Sequence, residues 1–356
     1  MLIKPMMITL LTSFAISAII IPYLINLSHR KQWYDTIDER KIHTENTPRI
    51  GGIGIFWGFM ISLSVVLSLG FIPLQFINRE VVNKIVIVLF SCSIVHVVGL
   101  LDDFKNLKAR FKFFVQFCVA IAMVCLGFSF KEIHIPFTSI TFTSLYVTVP
   151  ISILWLVGIP NAINLIDGID GLCSVVSVTS ASTICLICMI TKDYISAVIC
   201  FALIGSVIGF FAYNKPKAKI FMGDSGSLVI GFLLALLPII HSTTAQHLVF
   251  ESSITILLVP IADTLFAMGR RMYKGVSIAT PDKEHFHHIL LGLGLSNWGI
   301  LGVVLFFSGV IGVVPISYLM FPNHYVMISG VMAIIWVLGI FILYRIHRRW
   351  RLTVRK

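Results

Sequence analysis

Residues 161–171 read NAINLIDGIDG and place two amides and two carboxylates at the mouth of an apolar segment. No Lys or Arg lies inside this stretch to offset Asp167 and Asp170. An uncompensated carboxylate at the edge of a membrane is costly. The stretch therefore predicts that a cation, such as a divalent metal ion, binds there.

The composition around this stretch is that of a polytopic membrane protein. Of the 356 residues, 57% are hydrophobic and 12% are charged, whereas about a quarter of a soluble domain is charged. We therefore expect one domain over residues 1–356, an all-α polytopic membrane protein with about eleven transmembrane helices. The segment 131–148, rich in Ile, Phe and Thr, predicts a small external β-hairpin. The predicted spans are 6–27, 50–70, 82–101, 112–129, 147–165, 171–191, 194–213, 225–241, 248–268, 297–320 and 325–345.

The basic residues predict the orientation of these spans. If the loop after the first span is cytoplasmic, 22 of the 27 Lys and Arg residues lie on the cytoplasmic side. The positive-inside rule then places the N-terminus outside and the C-terminus in the cytoplasm. This topology accounts for the net charge of +11, and the sequence shows no basic stripe with interleaved aromatics that would indicate a nucleic-acid partner. Four polar stretches share the cytoplasmic side, and we expect them to form one active site: 99–105, 161–171, 221–227 and 282–288.

Asp102 and Asp103 end the third predicted span. Neighbouring residues of a helix point about 100° apart, so the two carboxylates need not share one ligand. One of them can meet a metal ion or a phosphate while the other accepts a proton. The alternative is that the two acids only mark the end of the span, paired with Lys105 or Arg110.

The stretch 161–171 supplies oxygen ligands of two kinds. Asp167 and Asp170 are three residues apart and share a face if the stretch is helical. Asn161 and Asn164 add neutral amide oxygens. A hard divalent cation prefers such an oxygen-rich site, and Mg²⁺ commonly shares it with substrate phosphates. The alternative is a polar loop in which an Asp caps a helix.

Asp224 lies in FMGDSGS, residues 221–227, just before the eighth predicted span. An acid at this position can simply cap the helix. Alternatively, the free amides of the helix start bind phosphate or position a metal-bound carboxylate.

Arg49 lies in the PRIGG stretch, where it either binds a phosphate or follows the positive-inside rule.

Three histidines, His285, His287 and His288, fall within four residues of the sequence. A zinc site is not favoured, because no thiol and no matching His spacing completes a tetrahedral set. Phosphate binding or proton handling near neutral pH suits these imidazoles better. The alternative is a solvated basic loop.

Taken in order, the motifs resemble the polyprenyl-phosphate N-acetylhexosamine-1-phosphate transferase superfamily. The resemblance implies multi-helix membrane enzymes with a cytoplasmic site, which transfer a sugar 1-phosphate from a UDP-sugar to a polyprenyl phosphate and release UMP, with Mg²⁺ or Mn²⁺. It covers a core of about residues 35–296 through DERKxH from Asp38, PRxGG from Pro48, GxxDD from Gly99, NxxNxxDGxDG from Asn161, FMGDxGS from Phe221 and HxHH from His285.

The resemblance also implies residue roles. Asp224 corresponds to the principal metal carboxylate, with Asn164 beside it, and Asp102, Asp103 and His285 correspond to catalytic residues. The expected substrate-binding residues are Asp167, Asp170, Asn161, Asn214, Lys105, Lys112, Arg49, His287 and His288.

Branch features favour UDP-N-acetylglucosamine as donor. PIxDT from Pro260 and DxxHxHH from Asp282 are similar to the N-acetylglucosamine branch, whereas Phe286 interrupts the His triplet of the muramoyl-pentapeptide branch. An Arg that some members carry after the histidines is missing, so UDP-MurNAc-pentapeptide or another UDP-N-acetylhexosamine is the alternative donor. We further expect undecaprenyl phosphate as acceptor, a role in a cell-envelope polysaccharide such as O-antigen or teichoic acid, a place in the bacterial plasma membrane among its lipids, and a homodimer.

An alternative from another class is a secondary transporter, since acids within membrane proteins often mark ion pathways. Transporter sites lie near the middle of the membrane on broken helices. The acids of this sequence lie instead at the predicted cytoplasmic ends of the spans, which favours the transferase.

Overall fold

The computed structural model of the protein describes residues 3–34, 47–71, 78–134, 140–242, 249–277 and 285–324, with scattered positions between 327 and 345. These residues form twelve α-helices, a two-stranded hairpin and one 3-10 turn, Pro322–His324. The helices are α1 Ile3–Lys31, α2 Gly52–Ser68, α3 Arg79–Lys105, α4 Ala109–Cys125, α5 Leu145–Ile166, α6 Leu172–Ile190, α7 Tyr194–Asn214, α8 Asp224–Ser242, α9 Val249–Ile256, α10 Leu258–Tyr273, α11 Phe286–Gly292 and α12 Asn297–Met320.

The all-α fold predicted from hydropathy is confirmed. Six helices in the described ranges, α1, α3, α5, α6, α7 and α12, are long and apolar enough to cross a membrane. Gly52–Ser68 and Asp224–Ile240 form shorter apolar helices. The predicted span 325–345 falls mostly outside the described residues. The total of eleven spans and their orientation stay predictions.

The single helix predicted over 248–268 is instead broken. Helices α9 and α10 meet at Leu257 with a bend of 79°. Pro260 lies in the first turn of α10, where a missing N–H is tolerated. Its ring would clash with the carbonyl of Ile256, four residues earlier, if one helix continued through. The chain therefore bends between α9 and α10, and together the two helices are long and apolar enough to cross a membrane as one bent span.

The hairpin predicted within 131–148 is present as two short strands, β1 Ile133–His134 and β2 Thr141–Phe142. They pair antiparallel, with Ile133 opposite Phe142 and His134 opposite Thr141. The side of the membrane on which this hairpin lies stays a prediction.

Helix α8 lies at the centre of the bundle. Its side chains from Asp224 to Ile239 are buried on every face, as expected for a helix that is apolar all round. It packs against α3 on one side and α5 on the other. Gly231 permits the contact with α5, because a Cβ there would lie 2.5 Å from the Cα of Pro160. The start of α8 is therefore held at the meeting point of several helix ends.

Candidate active site

The described residues of the four polar stretches, 285–288 of the last one included, meet at one end of the bundle, where α3, α5 and α7 end and α4, α6 and α8 begin. Asp224, the first residue of α8, is 3% exposed. The backbone amides of Asp224 and Ser225 donate to Oδ1 and Oδ2 of Asp103, at 2.7 and 3.0 Å. Amides in the first turn of a helix lack partners within the helix and attract negative charge. The Asp103 carboxylate therefore caps α8 from the end of α3.

Two cationic side chains hold the carboxylate of Asp224. Nη2 of Arg49 donates to its Oδ1 at 2.7 Å, and Nζ of Lys112 donates to its Oδ2 at 2.8 Å. Lys112 also reaches Oδ2 of Asp102 at 2.9 Å, while Nε of Arg49 lies 3.6 Å from Oδ1 of Asp103. Three carboxylates thus face two cations, which leaves one formal negative charge in the cluster.

Access to this cluster is one-sided. The carboxylates of Asp102, Asp103 and Asp224 are 7%, 0% and 4% exposed, whereas Arg49 and Lys112 are 31% and 22% exposed. A ligand arriving from solvent therefore meets the two cations first. An anionic phosphate suits these cations, and a divalent cation suits the carboxylates behind them.

Main-chain hydrogen bonds place Arg49. Phe221 donates its N–H to the carbonyl of Pro48, and Gly51 donates to the carbonyl of Phe221, at 2.7 and 2.9 Å. A Cβ at Gly51 would lie 2.6 Å from that same Phe221 carbonyl oxygen, so only glycine allows the approach. The glycines of the PRIGG stretch therefore bring Arg49 to the start of α8.

The turn between α3 and α4 fixes Asp102 and Lys112. The backbone N–H of Leu107 donates to Oδ1 of Asp102 at 2.8 Å. Asn106 adopts the left-handed conformation at the end of α3, with φ of 48°. Lys105 is exposed at that end, so its side chain lies outside the buried cluster.

The two amides of the central stretch take different partners. Nδ2 of Asn164 donates to the hydroxyl of Ser227, in the first turn of α8, at 2.8 Å. Asn161 donates to Oε1 of Gln116 and to the carbonyl of Val157. Asn164 therefore lies beside the Asp224 cluster, and Asn161 is held between α4 and α5.

Asp167 follows the end of α5 and is half-buried. Burial, together with the nearby carboxylates of Asp224, Asp103 and Asp170, raises the pKa of its carboxyl to about 7 against the opposing effect of Arg49. The loop thus holds an acid that titrates near neutral pH.

Asp170 and Asn214 contact the backbone of the chain itself. Oδ2 of Asp170 accepts the N–H groups of Lys217 and Ala218 at 3.0 and 3.1 Å. The Asn214 side chain accepts from the N–H of Gly171 and donates to the carbonyl of Ile220. These contacts fix the loop after α7 against the loop before α6.

The histidine segment packs on the same loop. His287 is 2% exposed, and a Cβ at Gly168 would overlap its imidazole. Its ring stacks on that of His285 with the centroids 5.9 Å apart, and the ring centroid of His288 lies 4.4 Å from that of His287. His285 itself pairs with Asp263 of α10 at 2.8 Å. The sequence analysis did not assign Asp263 to the site, although the PIxDT motif contains it.

Burial of His287 has a measurable consequence for stability. Burial, together with the neighbouring His288 and His285, lowers its pKa to about 3 against the opposing effect of Asp263. The unfolded imidazole titrates near 6.5, so below that pH the unfolded chain binds a proton that the folded protein does not. This group therefore costs about 2 kcal/mol of stability at pH 5.

We expect His287→Gln to remove that part of the pH dependence. Unfolding measured in detergent at pH 7 and pH 5 should show a loss of stability about 2 kcal/mol smaller than in the wild type. His324→Gln serves as a matched control, because it replaces a histidine at an exposed position. An identical pH dependence in His287→Gln and the wild type would contradict this assignment.

The donor set fits a hard divalent cation. Asp224 and Asn164 lie on and beside the first turn of α8, and both offer oxygen ligands. Across the described residues, no three His, Cys, Asp or Glu side chains form an enclosing metal site. Mg²⁺ usually takes one or two carboxylates and completes its shell with water and substrate phosphates. The residues suit a cation shared with a diphosphate, not a closed protein cage.

A bundle of apolar helices with buried acids and partly exposed cations at one end is typical of an integral membrane enzyme for phosphoryl transfer. The sequence model described as Glycosyl transferase family 4 matches residues 85–242. The chain is 34% identical over 298 residues to "Probable undecaprenyl-phosphate N-acetylglucosaminyl 1-phosphate transferase" of Bacillus subtilis, which covers 82% of this chain and 80% of that protein.

Two further relatives match over similar lengths. "Decaprenyl-phosphate N-acetylglucosaminephosphotransferase" of Mycolicibacterium smegmatis is 30% identical over 83% of this chain and 78% of its own length. "Phospho-N-acetylmuramoyl-pentapeptide-transferase" of Staphylococcus aureus is 28% identical over 85% of this chain and 96% of its own length. The chain belongs to glycosyltransferase family 4, and it is an enzyme of the phosphotransferase class that these names describe.

Proposed function

We propose that the protein transfers N-acetylglucosamine 1-phosphate from UDP-N-acetylglucosamine to undecaprenyl phosphate and releases UMP. The observation that carries the proposal is the position of Asp224, capped by Asp103 and held between Arg49 and Lys112 at the start of α8. The name of the 34% identical relative supports this donor and acceptor. The interruption of the His triplet by Phe286 supports the same choice of sugar.

The reaction is a single displacement at phosphorus. An oxygen of the lipid phosphate attacks the phosphorus that carries the sugar, and the bond from that phosphorus to the bridging oxygen breaks. UMP leaves with the bridging oxygen, and the sugar 1-phosphate becomes part of a lipid diphosphate. Either Asp102 or Asp103 takes or orients the proton of the lipid phosphate, if that phosphate carries one.

The remaining residues bind and orient. Arg49 and Lys112 are the exposed cations of the cluster, so they hold phosphate oxygens as the diphosphate displaces them from Asp224. Asp224 and Asn164 would hold Mg²⁺ or Mn²⁺, which offsets the charge that develops on the phosphates. His285 and His288 would contact phosphate, whereas the predicted contact of His287 is not supported, because His287 is 2% exposed and packs against Gly168. Asp167 and the loop fixed by Asp170 and Asn214 border the nucleotide.

The lipid acceptor reaches the site from the bilayer. Phe113, Phe114 and Phe117 are 49%, 65% and 47% exposed on α4, the helix that carries Lys112. Such side chains suit the hydrocarbon of a membrane. The proposal places the active site on the cytoplasmic face of a bacterial plasma membrane, following the distribution of Lys and Arg. The polysaccharide that the product enters and the homodimer stay predictions.

The test is release of UMP. Purified protein in detergent with undecaprenyl phosphate, UDP-N-acetylglucosamine and Mg²⁺ should release UMP, and EDTA should abolish the release because the diphosphate then lacks its cation. Excess Mg²⁺ added back should restore it.

The choice of donor decides the sugar. Release with UDP-MurNAc-pentapeptide but not with UDP-N-acetylglucosamine would overturn the proposed donor and keep the chemistry, in line with the 28% identical relative. Folded protein that is silent with every UDP-N-acetylhexosamine would overturn the proposed reaction.

A further inference from the structure

A buried carboxylate, that of Asp263, contacts the histidine segment 285–288 and lies outside the cluster of Asp102, Asp103, Asp224, Arg49 and Lys112. Asp263 lies on α10, on the same helix face as Ala267 and Arg271, which follow at intervals of four residues. Its Oδ2 lies 2.8 Å from Nδ1 of His285, and the two side chains are 5% and 7% exposed. Its Oδ1 accepts the backbone N–H of Phe286 at 2.8 Å. The two carboxylate oxygens of Asp263 therefore fix the adjacent residues His285 and Phe286.

This geometry decides which nitrogen of His285 carries the proton. An ionised carboxylate only accepts hydrogen bonds, so Nδ1 must be the donor. Neutral His285 then has an unprotonated Nε2, which can accept a proton from a ligand and, once protonated, donate to a phosphate oxygen. We infer that Asp263 is a positioning residue that fixes the tautomer and the ring direction of His285 toward the substrate phosphates. This inference rests on the function proposed above.

The arrangement makes Asp263→Asn informative. The N–H of Phe286 still needs an acceptor, so the oxygen of the new amide stays there and its NH₂ faces His285. An NH₂ group donates, so Nδ1 becomes the acceptor and the proton moves to Nε2. The substitution keeps size and shape but reverses the tautomer. Among the described residues, Asp263 and His287 are the titratable side chains that contact His285, and His288 lies against His287.

The experiment combines a spectrum with kinetics. In ¹⁵N-histidine-labelled protein, the signal lost in His285→Ala identifies His285, and it should show protonated Nδ1 in the wild type and protonated Nε2 in Asp263→Asn. The variant should lose about 10- to 100-fold in kcat for UMP release, the size typical of removing the acid behind a histidine, with little change in KM for the UDP-sugar. Adding Asp263→Asn to His285→Ala should cause no further loss of kcat.

A matched control is available in Asp193, which caps α7 by accepting the N–H and the hydroxyl of Ser196. It lies at the other end of α7 from the site, roughly 30 Å away. Asp193→Asn should change neither kcat nor the His285 signal. If Asp263→Asn does not fold, Asp263→Glu keeps both acceptors and should retain the tautomer with a lower kcat.

The outcomes separate the two proposals. Wild-type protein that releases no UMP with any donor would overturn the function, while the spectrum would still test the Asp263–His285 pair. Active wild type together with an unchanged tautomer or unchanged kcat in Asp263→Asn would overturn the positioning role alone. A further loss of kcat in the double variant would also overturn it, because Asp263 would then act independently of His285.

Discussion

Asp224→Asn should lower metal-dependent UMP release by about 10³-fold, the scale of losing one group that offsets charge in a phosphoryl-transfer site. Asp224 lies at the centre of the cluster, between Arg49 and Lys112 and on the first turn of α8. An amide has similar size but no negative charge, so its electrostatic attraction for a divalent cation is much weaker. Binding of Mn²⁺, followed by electron paramagnetic resonance, should weaken in parallel.

The fold should survive this substitution. Arg49 can still donate to the amide oxygen, and Lys112 keeps its 2.9 Å contact with Asp102. The unfolding midpoint in detergent should therefore stay near that of the wild type, as it should for the distant Asp193→Asn. Wild-type turnover by Asp224→Asn would refute the assignment of this carboxylate, and a collapse of the unfolding midpoint would show a structural role instead.

The sequence predicts the helices well because the length of an apolar run is a local property. Ten of the predicted spans coincide with observed helices or, at 248–268, with the bent pair α9 and α10. The break at Leu257 escaped prediction because the run stays apolar through it. Pro260 alone could not have marked the break, since α5 continues through Pro160 and α12 through Pro315.

The candidate site could be predicted as a set of residues but not as a set of contacts. Asp102, Asp103, Asn164 and Asp224 were named from their motifs, and the structure brings them together. The contact of Arg49 with Asp224 joins residues 175 positions apart, and spacing along the chain carries no information on such a pair. The roles of the individual residues stay predictions until turnover is measured.

Asp263 shows why buried acids are hard to assign from sequence. It lies in an apolar run, where a carboxylate reads as either a helix-end marker or a functional group. Its partner His285 is 22 positions away, across a segment that includes residues outside the described ranges. The bend between α9 and α10, which was not predicted, sets the direction of α10 and thereby the position of Asp263.

His285→Ala should lower kcat for UMP release by about 10²- to 10⁴-fold, the range for losing a positioned imidazole that transfers a proton or stabilises charge. Binding of UDP-N-acetylglucosamine, measured by calorimetry, should change little, because the proposed function assigns the diphosphate to Arg49 and Lys112. A parallel loss of nucleotide affinity and kcat would instead make His285 a general binding residue.

Destabilisation must be separated from loss of rate in this variant. His285→Ala leaves Oδ2 of the 5% exposed Asp263 side chain without its imidazole partner, which costs about 1–3 kcal/mol. Adding Asp263→Asn removes that buried charge, so the double variant should recover part of the stability but none of the rate. Recovery of turnover together with stability would show that His285 matters only for folding. Stability recovers without kcat only if the imidazole of His285 acts on the substrate. Comparing the single and double variants therefore decides whether His285 has a catalytic or a structural role.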